Sequence, residues 1–404
     1  MTTTAPVDLG NPDTFVDGVP HDAFAWLRRE DPVSWHEDPQ GPGFWVVTRH
    51  DDVVRINRDY AAFSSARGGV VIQSDYDPVA LAQQQRMMLN LDPPRHTKLR
   101  KLVNKGFTPR MINELEKHIR DLANEIIDRV APAGRCDFVT DVAAELPLQV
   151  IAEMMGVPHE DRHKLFEWSN RMIGAEDPEY NQSVERSQEA AAELYMYANA
   201  LAAERRARPA DDIVTTLINA DVDGEQLTET EFDLFFLLLA VAGNETTRNL
   251  VSHAMLALVE HPDQRQLLLD DPSLLPAAVE EFLRWGTPVM YFRRTAMTDL
   301  EVGGKEIREG DKVTIWYISA NRDEDAFSEP MRFDVTRSPN EHVAFGGGGP
   351  HHCLGANLAR MEIRVMFEEV LRRMPDIELD GPVQRLRSNF INGIKHMPVA
   401  FTPA

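Results

Sequence analysis

Two stretches of this chain hold side chains whose types and spacing could do chemistry. The first is FGGGGPHHCLG, Phe345 to Gly355, with its single cysteine, Cys353. Glycine lets backbone turn through positive φ or pass close to a flat object at low steric cost. The residues after the cysteine read as a long helix. Leu358, Met361 and Val365 form one apolar stripe, and Ile363, Phe367 and Val370 form another, so this helix is buried on most sides. A sulfur at a helix N-terminus feels the dipole and the free N–H groups, which favour an anion. The expectation is a lowered thiol pKa and a resting thiolate. Such a sulfur can be a metal ligand, a nucleophile or a structural core thiol. The second stretch is AGNETT, Ala242 to Thr247, inside an otherwise apolar run. Glycine and polar residues there cost stability. They mark either a bend or a site. Glu245 beside Thr246 pairs a carboxylate with a hydroxyl, which can hold water and relay protons as a general acid does.

Several elements must position these groups. Thr228 and Glu231 form a capping box ahead of a long helix, Phe232 to Pro262, that should cross the core. Asp271 to Gly286 reads as a capped helix ending at glycine. In it Glu281 and Arg284 share a face, which on its own is a common surface pair. In Leu91 to Pro109, Asp92 caps and Pro93 and Pro94 open a helix that places His96 and Arg100 on one face. Lys98, Lys101 and Lys105 there could be a basic patch or a solvated face. Met111 to Ala220 is mostly helical, with Phe166, Trp168, Met172 and Ile173 as weak pocket candidates. Strands are expected at Gly43–His50, at Val70–Ile72 and between Gly286 and Tyr317, where Gly303 and Gly304 suit a hairpin. Alternation puts only one of Arg293 and Arg294 on a given side. The fold class is mainly α with small β-sheets. A single domain over 1–404 is expected, its β-rich part from about 40–75, 288–320 and 383–402.

Composition excludes several functions. The 404 residues carry a formal net charge of −23, from 65 acidic and 42 basic side chains, which argues against a nucleic-acid partner. Two cysteines, Cys136 and Cys353, exclude a disulfide framework and a four-cysteine cluster. The first residues, MTTTAPVDLGNPDTF, show no basic or apolar leader, and no apolar run is long enough to span a bilayer. The expectation is a cytoplasmic protein without a membrane anchor.

FGGGGPHHCLG resembles the haem-thiolate signature of cytochromes P450, with Gly349, His351, Cys353 and Gly355 matching. Phe345 lies eight residues before the cysteine instead of seven. That longer loop resembles bacterial members acting on sterols, methyl-branched lipids and terpenoids. The resemblance implies the P450 fold, with a long central helix over a buried haem b whose axial iron ligand is Cys353. It makes Glu245 and Thr246 the catalytic acid–alcohol pair, with Gly243 leaving room beside the iron. It assigns His96, Arg100, Arg294 and His351 to the haem propionates, and Phe345 and Gly355 to the haem loop. Glu281, Arg284 and Arg332 become a structural trio. Leu239, Ala242, Val289, Met290, Phe390 and Ile391 would line an apolar pocket.

The activity so implied is insertion of one oxygen atom of O2 into a C–H bond of a hydrophobic small molecule. Electrons would come from a separate ferredoxin and its reductase, docking near Arg100, Lys101 and Arg360, since no flavin or NAD fingerprint follows the haem loop. A peroxygenase or lyase of the same fold, a non-catalytic haem binder and a cysteine hydrolase are the alternatives. The intact Glu245–Thr246 pair speaks against the first two. The third has no base for Cys353 except the neighbouring histidines.

Overall fold

The structure, a computed structural model, describes residues 7–404 apart from 76, 105, 106, 108, 175, 181–183, 222 and 223. Lys105 and the side chain of Ile173 lie outside that description. The central helix runs unbroken from Glu229 to Glu260, and Thr228 and Glu231 form its capping box. Its 32 residues span about 48 Å at 1.5 Å per residue. The expected interruption at Gly243–Thr247 does not break it, because the polar side chains bond to the helix's own carbonyls. Thr246 Oγ1 donates to the Ala242 carbonyl (2.8 Å), Asn249 Nδ2 to Glu245 (2.9 Å) and Ser252 Oγ to Arg248 (2.8 Å).

Helices Glu145–Met154, Val184–Ala207 and Leu275–Gly286 pack around the central helix, and Ala356–Arg373 closes the other side of the main core. A Cβ on Gly243 would sit 3.0 Å from Ile151 Cγ1, so this glycine lets the Glu145–Met154 helix approach.

The largest sheet has five strands in the order Val33–His36, Phe44–Val47, Lys312–Trp316, Tyr291–Ala296, Phe63–Ser64. Phe44–Val47 and Lys312–Trp316 are parallel; the other pairs are antiparallel. The sheet starts earlier than expected. Its outer strand is Phe63–Ser64, not Val70–Ile72. There Gly69 has φ +78° and Val71 N donates to Ser74 Oγ (3.2 Å), so the segment curls into a helical turn at Ile72–Asp75. The hairpin at Gly303 and Gly304 is present, both with positive φ. Asp92 caps nothing: it accepts from Ser64 Oγ and Ser65 N instead, and the Arg95–Val103 helix opens at Pro94 without a side-chain cap.

Glu281 and Arg284 are fully buried and form a bidentate pair, both N···O distances 2.7 Å. Arg284 also donates to the carbonyls of Asn321 (2.9 Å), Pro330 (2.8 Å) and Arg332 (3.1 Å). The expected third member is corrected here. The Arg332 side chain is exposed and pairs with Glu329, while Arg337 Nε reaches Glu281 Oε2 at 3.2 Å. Removing one partner of a buried ion pair strands the other charge, which costs about 3–5 kcal/mol. Arg284→Ala should lose that much stability in denaturant unfolding followed by circular dichroism, and Arg337→Ala a measurable part of it. Arg332→Ala should stay within about 0.5 kcal/mol of the parent, as surface changes do. The reverse ranking of Arg332 and Arg337 would contradict the assignment.

Candidate active site

Backbone holds the cysteine. Cys353 N donates to the Phe345 carbonyl at 3.0 Å, closing the loop. All four glycines between have positive φ, 94°, 60°, 97° and 80°, a run that other residues would resist. At Gly349 a Cβ would lie 2.4 Å from the Asn57 carbonyl, so the loop presses on the His50–Arg58 helix. Arg100 donates to the His352 carbonyl at 2.6 Å. The guanidinium of Arg360 lies 4.6 Å from the centre of the Phe345 ring and is itself clamped by Glu280 at 2.7 and 2.9 Å.

Cys353 opens onto a cavity of about 250 Å³, too large to be a packing gap. The thiol has accessible surface yet is walled by protein, so what it faces is that cavity. The sequence expectation of a lowered thiol pKa is corrected. Burial pushes the thiol up, outweighing the Gly355 N–H and the Arg100 and Arg360 guanidiniums, which pull it down. Without a cation in the cavity the resting form is the thiol. Cys136 lies in strand Arg135–Asp137, away from the cavity, its thiol pushed up to about 12 mainly by burial.

Ala242, Gly243, Thr246 and Thr247 of the central helix form a wall of the same cavity. Thr246 gives its proton to the Ala242 carbonyl and so presents hydroxyl lone pairs as acceptors. Glu245 is not on this wall. It is fully buried behind the helix, ion-paired with Arg248 and accepting from Ser169 Oγ (3.0 Å), while Arg248 also donates to Asn170 (2.8 Å). The structure therefore brings Cys353 and Thr246 to one space and leaves Glu245 outside it.

Five basic side chains line the cavity: His96, Arg100, Arg294, His351 and His352. The His96 and His351 rings are 4.2 Å apart between centroids. Burial first, then neighbouring cations, lowers His351 to about 2 and His96 to about 4. His96 Nδ1 is buried with no partner among the described residues. Asp92 acts on His96 and Arg294, but it is already engaged by Ser64 and Ser65. Buried donors short of an anion fit the two carboxylates of the implied haem. Arg294 is the strand arginine on this side. Arg293 instead bonds Asp75 and the Ile72 carbonyl.

The remaining walls are apolar. Leu239, Ala242 and Val289 line the cavity as expected. Met290, Phe390 and Ile391 do not. Met290 is fully buried in a second core with Tyr291 and Trp316, Phe390 packs on Tyr291 and Phe292, and Ile391 is buried beside Val289 through a β-bridge. Phe166, Trp168 and Met172 belong to helix packing. The sequence reading missed Phe292, Tyr317 and Glu362, which line the cavity. For Glu362 a signal was available: it sits between Met361 and Ile363, one on each apolar stripe, on a helix with little room for an exposed face.

The cytochrome P450 family model matches residues 13–375. The chain is 46% identical over 405 residues to a steroid C26-monooxygenase of Rhodococcus jostii, covering 98% of this chain and 85% of that one. It is 43% identical over 410 residues to a methyl-branched lipid omega-hydroxylase of Mycobacterium bovis, covering 98% and 95%. Its fold superimposes on a cytochrome P450 of Mycobacterium marinum in complex with pseudoionone with TM-score 0.89, 44% identity and 94% of each chain covered. With the thiol, the cationic bay and the threonine wall in one apolar cavity, the chain belongs to the cytochrome P450 family and is a monooxygenase.

Proposed function

We propose that this enzyme hydroxylates a hydrophobic molecule, a sterol or a methyl-branched lipid, near the end of a branched alkyl chain. The observation that carries this is the cavity itself, with apolar walls and polar groups confined to the Cys353 loop, the cationic bay, the two threonines, Tyr317 and Glu362. An apolar chain binds there by burial and is left unoriented by hydrogen bonds over most of its length. The relatives' names, steroid C26-monooxygenase and methyl-branched lipid omega-hydroxylase, describe oxidation at such chain ends. The terpenoid ketone in the Mycobacterium marinum structure is also branched and apolar.

The cofactor is haem b, which when bound supplies the activation of dioxygen. Cys353 would be its iron ligand, and His96, Arg100, Arg294 and His351 would hold its propionates. Phe345 and Gly355 flank the ligand, and the Gly355 N–H to the sulfur spreads the thiolate charge. Gly243 and Ala242 add little bulk to the central-helix wall. The hydroxyl of Thr246 accepts a hydrogen bond from water or from a polar group in the cavity. Glu245, the adjoining acid, acts from behind the helix and reaches the cavity only by leaving Arg248.

Electrons come from a separate ferredoxin and its reductase. Of the cations on the Arg95–Val103 helix, Arg95 and Lys98 are paired with Glu225, and Arg100 is tied to the Cys353 loop. Arg360, expected on the docking face, is clamped by Glu280. Lys101 is exposed, with no ion pair recorded among the described residues, and is the better contact for an acidic donor. No helix among the described residues is long and apolar enough to cross a membrane, in keeping with a cytoplasmic enzyme.

The test is turnover of a side-chain-bearing steroid and of a methyl-branched fatty acid under labelled dioxygen, with a surrogate ferredoxin and reductase. Labelled hydroxyl near the branched end is expected from at least one of them. No product and no substrate-dependent oxygen consumption from either would overturn the substrate class. In the same assay Thr246→Ala should consume oxygen with several-fold less product, since its loss removes the acceptor on that wall. Unchanged product per oxygen would remove Thr246 from the mechanism. Lys101→Glu should slow reduction by ferredoxin, most at low ionic strength, without altering substrate binding. A salt-independent rate equal to the parent's would place the donor elsewhere.

A further inference from the structure

We propose that Asn57 is a positioning residue that aims Arg294 at a haem carboxylate without cancelling its charge. Asn57 is the next-to-last residue of the His50–Arg58 helix and is 3% exposed. It stands behind the cavity, not on its wall. Its Oδ1 accepts from an Arg294 guanidinium nitrogen at 3.1 Å and from the Tyr317 hydroxyl at 3.1 Å. Both of those side chains line the cavity. The other terminal nitrogen of Arg294 donates to the Arg293 carbonyl at 2.8 Å, and the guanidinium lies 5.8 Å from the centre of the Phe292 ring. That ring meets Tyr317 edge-on at 6.0 Å. The backbone of Arg293, the ring of Phe292 and the amide of Asn57 therefore fix the plane of the fork. A group that binds a ligand is only as well placed as the groups that hold it.

The chemistry of the amide accounts for the choice of residue. A guanidinium donates and never accepts, so the Asn57 atom that faces it is the oxygen. A carboxylate there would orient the fork equally well, but it would pair with it and weaken its pull on a second carboxylate. A neutral oxygen orients the cation and leaves its charge to be used. The acidic side chains nearby do not undo this. Asp92, which acts on Arg294, is engaged by Ser64 and Ser65, and Asp75 is engaged by Arg293. The arrangement has a cost: Asn57 Nδ2 is buried with no partner among the described residues. A leucine would avoid that cost, but it would leave Arg294 and Tyr317 without their acceptor.

Asn57 also touches the sulfur loop. Its carbonyl lies where a Cβ on Gly349 would come within 2.4 Å. One buried residue is thus the common support of the carboxylate-binding arginine and of the loop that carries Cys353.

The inference rests on the haem-binding reading above, and its test needs no turnover. The readouts are the rate of haem transfer from the ferric protein to excess apomyoglobin and the ferric/ferrous midpoint potential. Asn57→Leu, which removes the acceptor, should release haem several-fold faster than the parent. Asn57→Asp should also release it several-fold faster, because Arg294 is then paired, and its added negative charge should lower the midpoint potential. In an Arg294→Leu background, Asn57→Leu should add no further loss, since it acts through that arginine. Parent rates in both Asn57 variants would overturn the proposal. An Asn57→Leu effect equally large with and without Arg294 would also overturn it, and would assign Asn57 to support of the loop alone. A parent protein that takes up no haem would overturn the haem reading itself, and this inference with it.

Discussion

A sulfur atom fixed by a backbone loop at the edge of an apolar cavity is the constraint on which the rest of this structure depends. The loop must be thin enough to pass close to the cavity and stiff enough to hold its position. Four left-handed glycines supply the thinness. The Cys353–Phe345 hydrogen bond, the contact of Gly349 with Asn57 and the Arg100–His352 bond supply the stiffness. The Glu281–Arg284 pair sits behind this arrangement. It gathers the carbonyls of Asn321, Pro330 and Arg332, and so sets the path of the chain that leads into the loop.

Electrostatics leaves this cavity unbalanced in two places. Burial holds the thiol protonated despite two nearby guanidiniums. The two histidines are held neutral beside Arg100 and Arg294. A group carrying a central cation and peripheral carboxylates would correct both at once. The cation would favour the thiolate, and the carboxylates would face His96 Nδ1, which has no partner among the described residues, and the guanidiniums beside it. Binding of such a group would then add to the stability of the loop.

Much of this was legible in the sequence where the chemistry is local. The glycine loop, the capping box at Thr228 and the Gly303–Gly304 turn all follow from short-range geometry, and alternation separates Arg293 from Arg294, with the family resemblance choosing between them. The family resemblance, carried by the Cys353 and AGNETT stretches, is borne out. What was not legible depends on distant packing. Arg332 and Arg337 are five residues apart in one irregular segment, and only the course of that segment decides which meets Glu281. Met290 follows cavity residue Val289 directly, yet it and Phe390 pack into a separate core with Trp316, and Ile391 is taken up by its bridge to Val289. The dipole argument for Cys353 was sound in sign but smaller than the desolvation that opposes it. Glu245 matched its motif, but its direction is set by Arg248 one turn on, which nothing in the motif requires.

The central claim is that Cys353 binds haem iron through its thiolate. The most direct measurement is the absorption spectrum of the dithionite-reduced protein under carbon monoxide, for the parent and for Cys353→Ser. A Soret band shifted strongly to the red in the parent and absent in Cys353→Ser is the expected result. A haem band without that shift, the same band in both proteins, or no haem in protein produced with ample haem would contradict it.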